Sequence, residues 1–239
     1  MISKNDVKYI QTLFHKKTRD EERVFIAEGP KLVNELLTAR ITIKKIYALR
    51  EWAEQQTKPD SITIVAEHEL QKISALQTPN QVLAIAAQPD VMHEPNLTGN
   101  ITLVLDGIQD PGNLGTIIRT ADWFGIKQIV ASNDTADKYN PKVVQASMGS
   151  LIRVSMWHKD IGEWLAQTTI KIYGAMLNGD NVFTANKISE GLLVIGNESK
   201  GIRADVLPFI RHSLSIPGRG GAESLNASVA TGIILSHIV

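Results

Sequence analysis

The chain has 239 residues, carries 25 Lys+Arg against 25 Asp+Glu, and is 43% hydrophobic and 21% charged. That balance fits one to two folded domains and excludes both a disordered chain and a uniformly basic one, while permitting a local basic surface. There are no cysteines, which excludes disulfides, thiolate zinc sites, iron–sulfur clusters and thiol nucleophiles.

In chain order, residues 1 to 19 hold Lys4, Lys8, Lys16, Lys17 and Arg19 against the single acid Asp6, with Tyr9, Phe14 and His15 among them. Basic side chains interleaved with aromatics can grip RNA through phosphates and by stacking. The same residues also fit an amphipathic helix with Val7, Ile10, Leu13 and Phe14 facing a core. The opening Met1-Ile2-Ser3-Lys4-Asn5-Asp6 lacks the apolar core of a signal peptide. No apolar run approaches the roughly 18 residues of a membrane helix, so the expected address is the cytoplasm, with no membrane partner.

Gly29-Pro30 opens a predicted helix through Leu32, Val33, Leu36 and Leu37. Strands are expected at Ile43–Leu49 and Ile62–Val65, a helix at Glu69–Leu76, and a short apolar strand at Val82–Ala87. The proline- and glycine-bearing stretch 89–100 has no periodicity and reads as a linker between a domain at 1–88 and one at 101–239. The second part opens with Ile101-Thr102-Leu103-Val104-Leu105-Asp106, an apolar run typical of a buried parallel strand. Further strands are expected at Gln128–Ala131, Ile170–Ala175, Leu192–Ile195 and Ser213–Ile216. Helices are expected at Leu114–Phe124, Lys142–Leu151, Ile161–Gln167 and Asn226–Ile238. The alternation predicts an α/β fold with a mainly parallel sheet covered by helices.

Ligands of such sheets bind beyond the carboxyl ends of the strands, so the residues just after each strand carry the functional signal. After the strand at 101–106 comes Asp110-Pro111-Gly112-Asn113, a turn feeding a helix. No G-x-G-x-x-G turn or G-x-x-x-x-G-K-[ST] loop appears, which argues against an ordinary dinucleotide enzyme. Asn113 fits a helix cap. Arg119, a little under two helical turns on, fits either an ion pair or forked recognition of phosphate. After the strand at 192–195 comes Gly196-Asn197-Glu198-Ser199-Lys200-Gly201. It is read either as a close backbone approach to a ligand with a carboxylate at the crevice, or as a tight turn with Glu198 capping a helix. After Ile216-Pro217 a glycine-rich loop leads to Ser224 or Asn226 as cap of an apolar final helix that carries Val229, Ile233, Ile234 and Ile238. A helix this apolar belongs inside the domain or against another subunit.

Taken in order, Asn113-x-Gly115-x-x-x-Arg119-Thr120-Ala121, then Ile195-Gly196-Asn197-Glu198-x-x-Gly201, then Ile216-Pro217 … Glu223-Ser224-Leu225-Asn226-x-Ser228-Val229-Ala230 closely resemble the three motifs of the SpoU (TrmH-type) family. These are RNA 2′-O-ribose methyltransferases of the SPOUT superfamily. Phe25-Ile26-Ala27-Glu28-Gly29-Pro30-Lys31-Leu32-Val33 is similar to the family's N-terminal substrate-binding domain. The resemblance implies a parallel-sheet α/β domain closed by a C-terminal trefoil knot, an exception to unknotted chains, beside a smaller α/β RNA-binding domain. It implies S-adenosylmethionine as cofactor, with adenine contacts near Leu177, Gly196, Ile216 and Leu225. It also implies a homodimer with the site at the subunit interface, a ribosomal RNA substrate in preference to transfer RNA, and no metal. Arg119 is implied as the base assisted by an RNA phosphate, or as the group that grips phosphate and stabilises charge on the ribose oxygen. Asn113, Glu198, Ser224 and Asn226 would orient Arg119, the ribose and the loops. With this resemblance the basic N-terminal stretch reads as RNA-facing. The chain departs from the family where many members carry Met after the third motif's Ile-Pro and this one has Gly218. The alternatives are a non-catalytic RNA-binding or ribosome-assembly protein with the same fold, and a knotted enzyme that methylates a base.

Overall fold

The computed structural model describes residues 2–58, 61–90 and 93–239. Met1 and, within the expected linker, Val91 and Met92 lie outside the described residues. The chain divides into two compact units: Met1–Asp90 with Tyr139–Ile152, and Val91–Lys138 with Arg153–Val239.

In the first unit, α1 (Lys4–Thr12) starts where Ser3 Oγ accepts the Asp6 N–H, a side-chain cap that satisfies one open donor of the first turn. Ile10 and Leu13 are buried in the unit's core, with Val7 and Phe14 packed against it. The apolar stripe thus serves packing, as the amphipathic pattern predicts. One expectation fails here. Arg19, read as part of an RNA-facing basic stretch, lies buried in α2 (Lys16–Glu22). Its Nη1 donates to the carbonyls of Leu13 and Phe14, both at 2.8 Å. Those carbonyls follow α1 and need donors, so the guanidinium is spent on the backbone. Lys4, Lys8, Lys16 and Lys17 stay exposed.

The unit's sheet has the order β1-β4-β2-β3, made of β1 (Val24–Glu28), β2 (Ile43–Ala48), β3 (Thr63–Ile64) and β4 (Val82–Ala87). β4 runs antiparallel to both β1 and β2, and β2 pairs with β3 in parallel. Helices α3 (Pro30–Thr38), α4 (Arg50–Ala53) and α5 (Glu67–Ile73) connect the strands. Gly29 has φ 92° at the turn into α3, a left-handed position that favours glycine.

The second unit holds a six-stranded sheet. Its strands are β5 (Ile101–Asp106), β6 (Gln128–Ser132), β7 (Ser155–Lys159), β8 (Ile172–Asn181), β9 (Gly191–Gly196) and β10 (His212–Ser215), in the order β10-β8-β9-β5-β6-β7. Every neighbouring pair is parallel. The central strands β5 and β9 are buried along almost their whole length, as strands covered on both faces must be. Helices α6 (Pro111–Trp123), α8 (Ile161–Ala166) and α9 (Ala227–Ile238) belong to this unit, and α6 touches α9. The helix α7 (Pro141–Ser147) groups with the first unit and touches β1. It is shorter than its pattern predicts, because Met148 (φ 49°) and Gly149 (φ 92°) turn the backbone left-handed.

The ladder between β8 and β10 is irregular. Ser213 faces Gly174, but the next residue, Leu214, faces Asp180. Residues 175–179 of β8 therefore leave the ladder and rejoin it, as an enlarged bulge. They rejoin tightly, since a Cβ on Gly179 would lie 2.7 Å from the Ser213 carbonyl.

Candidate active site

Because the sheet is parallel, the carboxyl ends of β5, β6, β9 and β10 all open to one side. The last paired step of the two central strands sets Asp106 beside Gly196. The first two motif regions therefore leave the sheet from adjacent strands. After β5 the chain turns at Gly107 (φ 80°) and enters α6. The cap of α6 is Asp110, whose Oδ1 accepts the Asn113 N–H at 2.8 Å, with Pro111 at the first helical position. This corrects the reading of Asn113 as the cap. The cap satisfies the Asn113 backbone and leaves its side-chain amide for another partner.

That amide links the three motif regions. Asn113 Nδ2 donates to Glu198 Oε1 at 2.5 Å, and Asn113 Oδ1 accepts from Asn226 Nδ2 at 2.8 Å. Asn226 Oδ1 in turn accepts the N–H groups of Ser228 and Val229 and the Ser228 hydroxyl, which makes Asn226 the cap of α9. One chain of hydrogen bonds thus joins all three motif regions, Asn226 to Asn113 to Glu198. Its last bond ends on a carboxylate, the kind that contributes roughly 1.5–3 kcal/mol. Glu198 is half-buried and caps no helix.

Two other expected residues stand outside this chain of bonds. Arg119 is exposed on α6 and makes no ion pair among the described residues, so the ion-pair reading gains no partner. Ser224 is exposed in the loop before α9 and makes no hydrogen bond among the described residues.

The turn after β9 is held by its own backbone. Asn197 and Gly201 exchange two N–H···O bonds of 3.0 and 2.8 Å, and Asn197 Oδ1 accepts the N–H groups of Ser199 and Lys200. Gly196 is required here, because a Cβ would lie 2.4 Å from the Gly201 carbonyl carbon and 2.5 Å from the Ile202 nitrogen. The close approach read from this glycine is to the chain itself.

Beneath the turn lies a set of polar residues that no motif in the sequence singles out as a group. Asn197 Nδ2 donates to the Gly107 carbonyl at 2.8 Å, and the Gly107 N–H donates to Ser132 Oγ at 2.9 Å. Asp106 is fully buried, and its two carboxylate oxygens meet Arg203 Nε at 2.6 Å and the Arg203 backbone N–H at 2.8 Å. Arg203 Nη1 lies 3.6 Å from Asp134. The Ser132 hydroxyl, aided by the charges of Arg203 and Lys200, holds the Asp134 carboxyl below its usual range. The loop from β6 toward α7 is fastened as well: buried Lys138 donates to the Val154 carbonyl at 2.8 Å, and burial lowers its ammonium to about 8.

Residues 100–236 match the SpoU rRNA Methylase family, and residues 4–84 match the MRM3-like substrate binding domain. The chain belongs to the SpoU methylase family. Over 238 residues it is 31% identical to the 23S rRNA (guanosine(2553)-2′-O)-methyltransferase RlmP of Bacillus subtilis (strain 168), covering 97% of this chain and 95% of the relative. Among solved structures it resembles the AdoMet-bound rRNA methyltransferase from Sinorhizobium meliloti, with a TM-score of 0.84 and 31% identity over 100% of this chain and 95% of that one. It also resembles the SpoU methyltransferase AviRb from Streptomyces viridochromogenes in complex with AdoMet. There the TM-score is 0.84 and the identity 26%, over 99% of this chain and 97% of that one.

The SpoU-type residues expected around S-adenosylmethionine fit that group. Leu177, on the part of β8 that leaves the ladder, is 75% exposed, and Leu225 is 46% exposed. Ile216 is half-buried at the end of β10. Segment 216–225 makes no backbone–backbone hydrogen bond among the described residues. Open apolar side chains beside open backbone donors and acceptors are what an adenosyl group needs. A Cβ on Gly218 would meet nothing within 4 Å, so the departure from the family's Met leaves space rather than a clash.

Proposed function

We propose that this chain is an S-adenosylmethionine-dependent RNA methyltransferase that modifies a ribose 2′-hydroxyl of ribosomal RNA. The observation that carries the reading is the Asn226–Asn113–Glu198 chain of hydrogen bonds in a SpoU family member. It ties together residues from all three motifs, at the end of the sheet where ligands bind.

Bound S-adenosylmethionine supplies a methyl group on a sulfonium, open to in-line attack. Leu177, Gly196, Ile216 and Leu225 would flank it. The chain's own part is positioning, which at its favourable limit removes about 7–11 kcal/mol of barrier. Arg119 reaches into solvent from α6, and a guanidinium is donor-only. It suits a fork on the RNA phosphate and stabilisation of charge growing on the ribose oxygen, with the hydroxyl proton leaving toward that phosphate. Glu198, oriented by Asn113 and Asn226, lines the same crevice, and Ser224 serves the loop that closes it.

Residues 1–88 are proposed to select the RNA and 101–239 to carry the chemistry, joined by 89–100. Exposed Lys4, Lys8, Lys16 and Lys17 suit phosphate contacts. The SpoU-type parallel sheet is read as holding a deep trefoil knot. A homodimer is the proposed assembly: Trp123 on α6 is 84% exposed and Val229 on α9 is 49% exposed, on two helices that touch. Large side chains this open are what a protein contact covers. No helix among the described residues is long and apolar enough to cross a membrane. The proposed setting is the cytoplasm, where ribosomal RNA is modified.

The test supplies methyl-tritiated S-adenosylmethionine with unmodified ribosomal RNA and transfer RNA separately. Label should enter ribosomal RNA and appear in alkali-resistant dinucleotides. Arg119→Ala should lower it at least about a hundredfold with unchanged melting. Label in transfer RNA alone would move the substrate, and label in a base would move the reaction. Absence of cofactor binding would leave a non-catalytic RNA binder.

A further inference from the structure

We propose that Arg203 is a positioning residue for methyl transfer, acting through Glu198. The inference rests on the reading of Glu198 as part of the site. Glu198 stands on a turn that meets the end of β5 at two places, one on each side of it. Upstream, Asn197 Nδ2 holds the Gly107 carbonyl at 2.8 Å. Downstream, the Arg203 backbone N–H donates to Asp106 at 2.8 Å, and the Arg203 guanidinium forms an ion pair with the other carboxylate oxygen, Nε lying 2.6 Å away without hydrogen-bond alignment. Between the two tethers, the Asn197–Gly201 pair closes the turn, which packs onto Gly196 so closely that a Cβ there would clash with the Gly201–Ile202 backbone. The Glu198 carboxylate is thereby delivered to Asn113 Nδ2.

The physical demand on Arg203 is specific. Asp106 is a fully buried carboxylate, and such a group persists as a charge only if paired and hydrogen-bonded. A guanidinium is a flat group that carries its charge in more than one direction, so Arg203 pairs electrostatically with Asp106, Nε lying 2.6 Å from Oδ1, while Nη1 lies 3.6 Å from Asp134. Lysine keeps the charge but has neither the plane nor the second direction. Arg203 is half-exposed and its guanidinium is committed to these carboxylates, so its role is to fix the turn rather than to touch the reacting atoms.

The experiment is a double-mutant cycle of Arg203→Lys and Glu198→Ala in the full chain, using ribosomal RNA and tritiated S-adenosylmethionine. Melting temperature and calorimetric cofactor binding are followed in parallel. Arg203→Lys should lower kcat about tenfold with KM for RNA and cofactor binding within about twofold. In the Glu198→Ala background the same change should have almost no further effect, because the group it positions is gone. An unchanged kcat in Arg203→Lys, or losses that multiply independently, would overturn the proposal. Wild-type turnover by Glu198→Ala would instead overturn the reading of the site, and Arg203 with it. Should Arg203→Lys melt early, Asp134→Asn removes only the outer, solvent-exposed partner. It should lower kcat about twofold to threefold in wild type and not at all in Glu198→Ala, and equal losses in both backgrounds would sink the idea.

Discussion

The segment after β9 and the segment after β10 leave the same edge of one sheet and are built in opposite ways. From Gly196 to Arg203 the chain is bonded to itself and to the end of β5, and packed so closely that one glycine admits no side chain. From Ile216 to Leu225 it makes no backbone–backbone hydrogen bond among the described residues, and it is mostly exposed until Asn226 joins the Asn113 side chain. The difference teaches a division of labour. Glu198, the carboxylate proposed for the site, stands on backbone fixed in advance, as a preorganised site requires. The segment proposed to flank the cofactor keeps its backbone donors and acceptors open.

The contrast can be broken at its strongest point first. Gly196→Ala forces a Cβ against the Gly201–Ile202 backbone. A loss of about 3 kcal/mol of stability is expected, at the upper end for overpacking, together with loss of methylation. Chemical denaturation would show it, and a fully stable Gly196→Ala would mean that the turn is not fixed at all. A second fastened loop gives a pH test. The native chain sheds the Lys138 proton near pH 8, whereas the unfolded chain keeps it until about 10.5. Below pH 8 the buried ammonium weighs fully against folding. Between those values wild type should gain up to about 3 kcal/mol relative to Lys138→Met. Urea melts of both proteins at pH 7.5 and 10.5 measure it, and a constant difference would sink the assignment. The smallest effect is expected in the open loop. Gly220→Ala meets nothing within 4 Å, so its stability should stay within about 0.5 kcal/mol of wild type. A large loss would show that the loop is packed after all.

Much of this architecture is legible in the residues, because periodicity reports burial. The run Ile101–Asp106 and the apolar face of α6 can face only a core. The edge strand β7 is not legible. Ser155-Met156-Trp157-His158-Lys159 has only Met156 buried, so alternation carries little signal. β1 escapes notice as a strand although all five of its residues are buried, for a continuous apolar run does not by itself choose between strand and helix. Arg19 misleads because charge along the chain does not say which cation the backbone needs. In the site, the motif residues are visible one region at a time, but their bonding is not. Asn113 meets Glu198 across 85 residues and Asn226 across 113. Asp110 is the cap that Asn113 was expected to be, and its signal is local: an Asp directly before a first-turn Pro marks a helix start. The Asp106–Arg203 pair has no local signature, since its partners are 97 residues apart.

The departure of residues 175–179 from the β8 ladder has a consequence for how such a protein can change. A strand held continuously by neighbours on both sides admits substitutions only within the shape of its core. A stretch that leaves the hydrogen-bonded register and returns to it is released from that constraint, while the residues at either end keep the sheet in step. Leu177 rides on this detour. Its size, its polarity, even the number of residues around it, are free to drift without disturbing a single strand pair, so the wall of the proposed cofactor site can be rewritten while the scaffold beneath it is inherited unchanged.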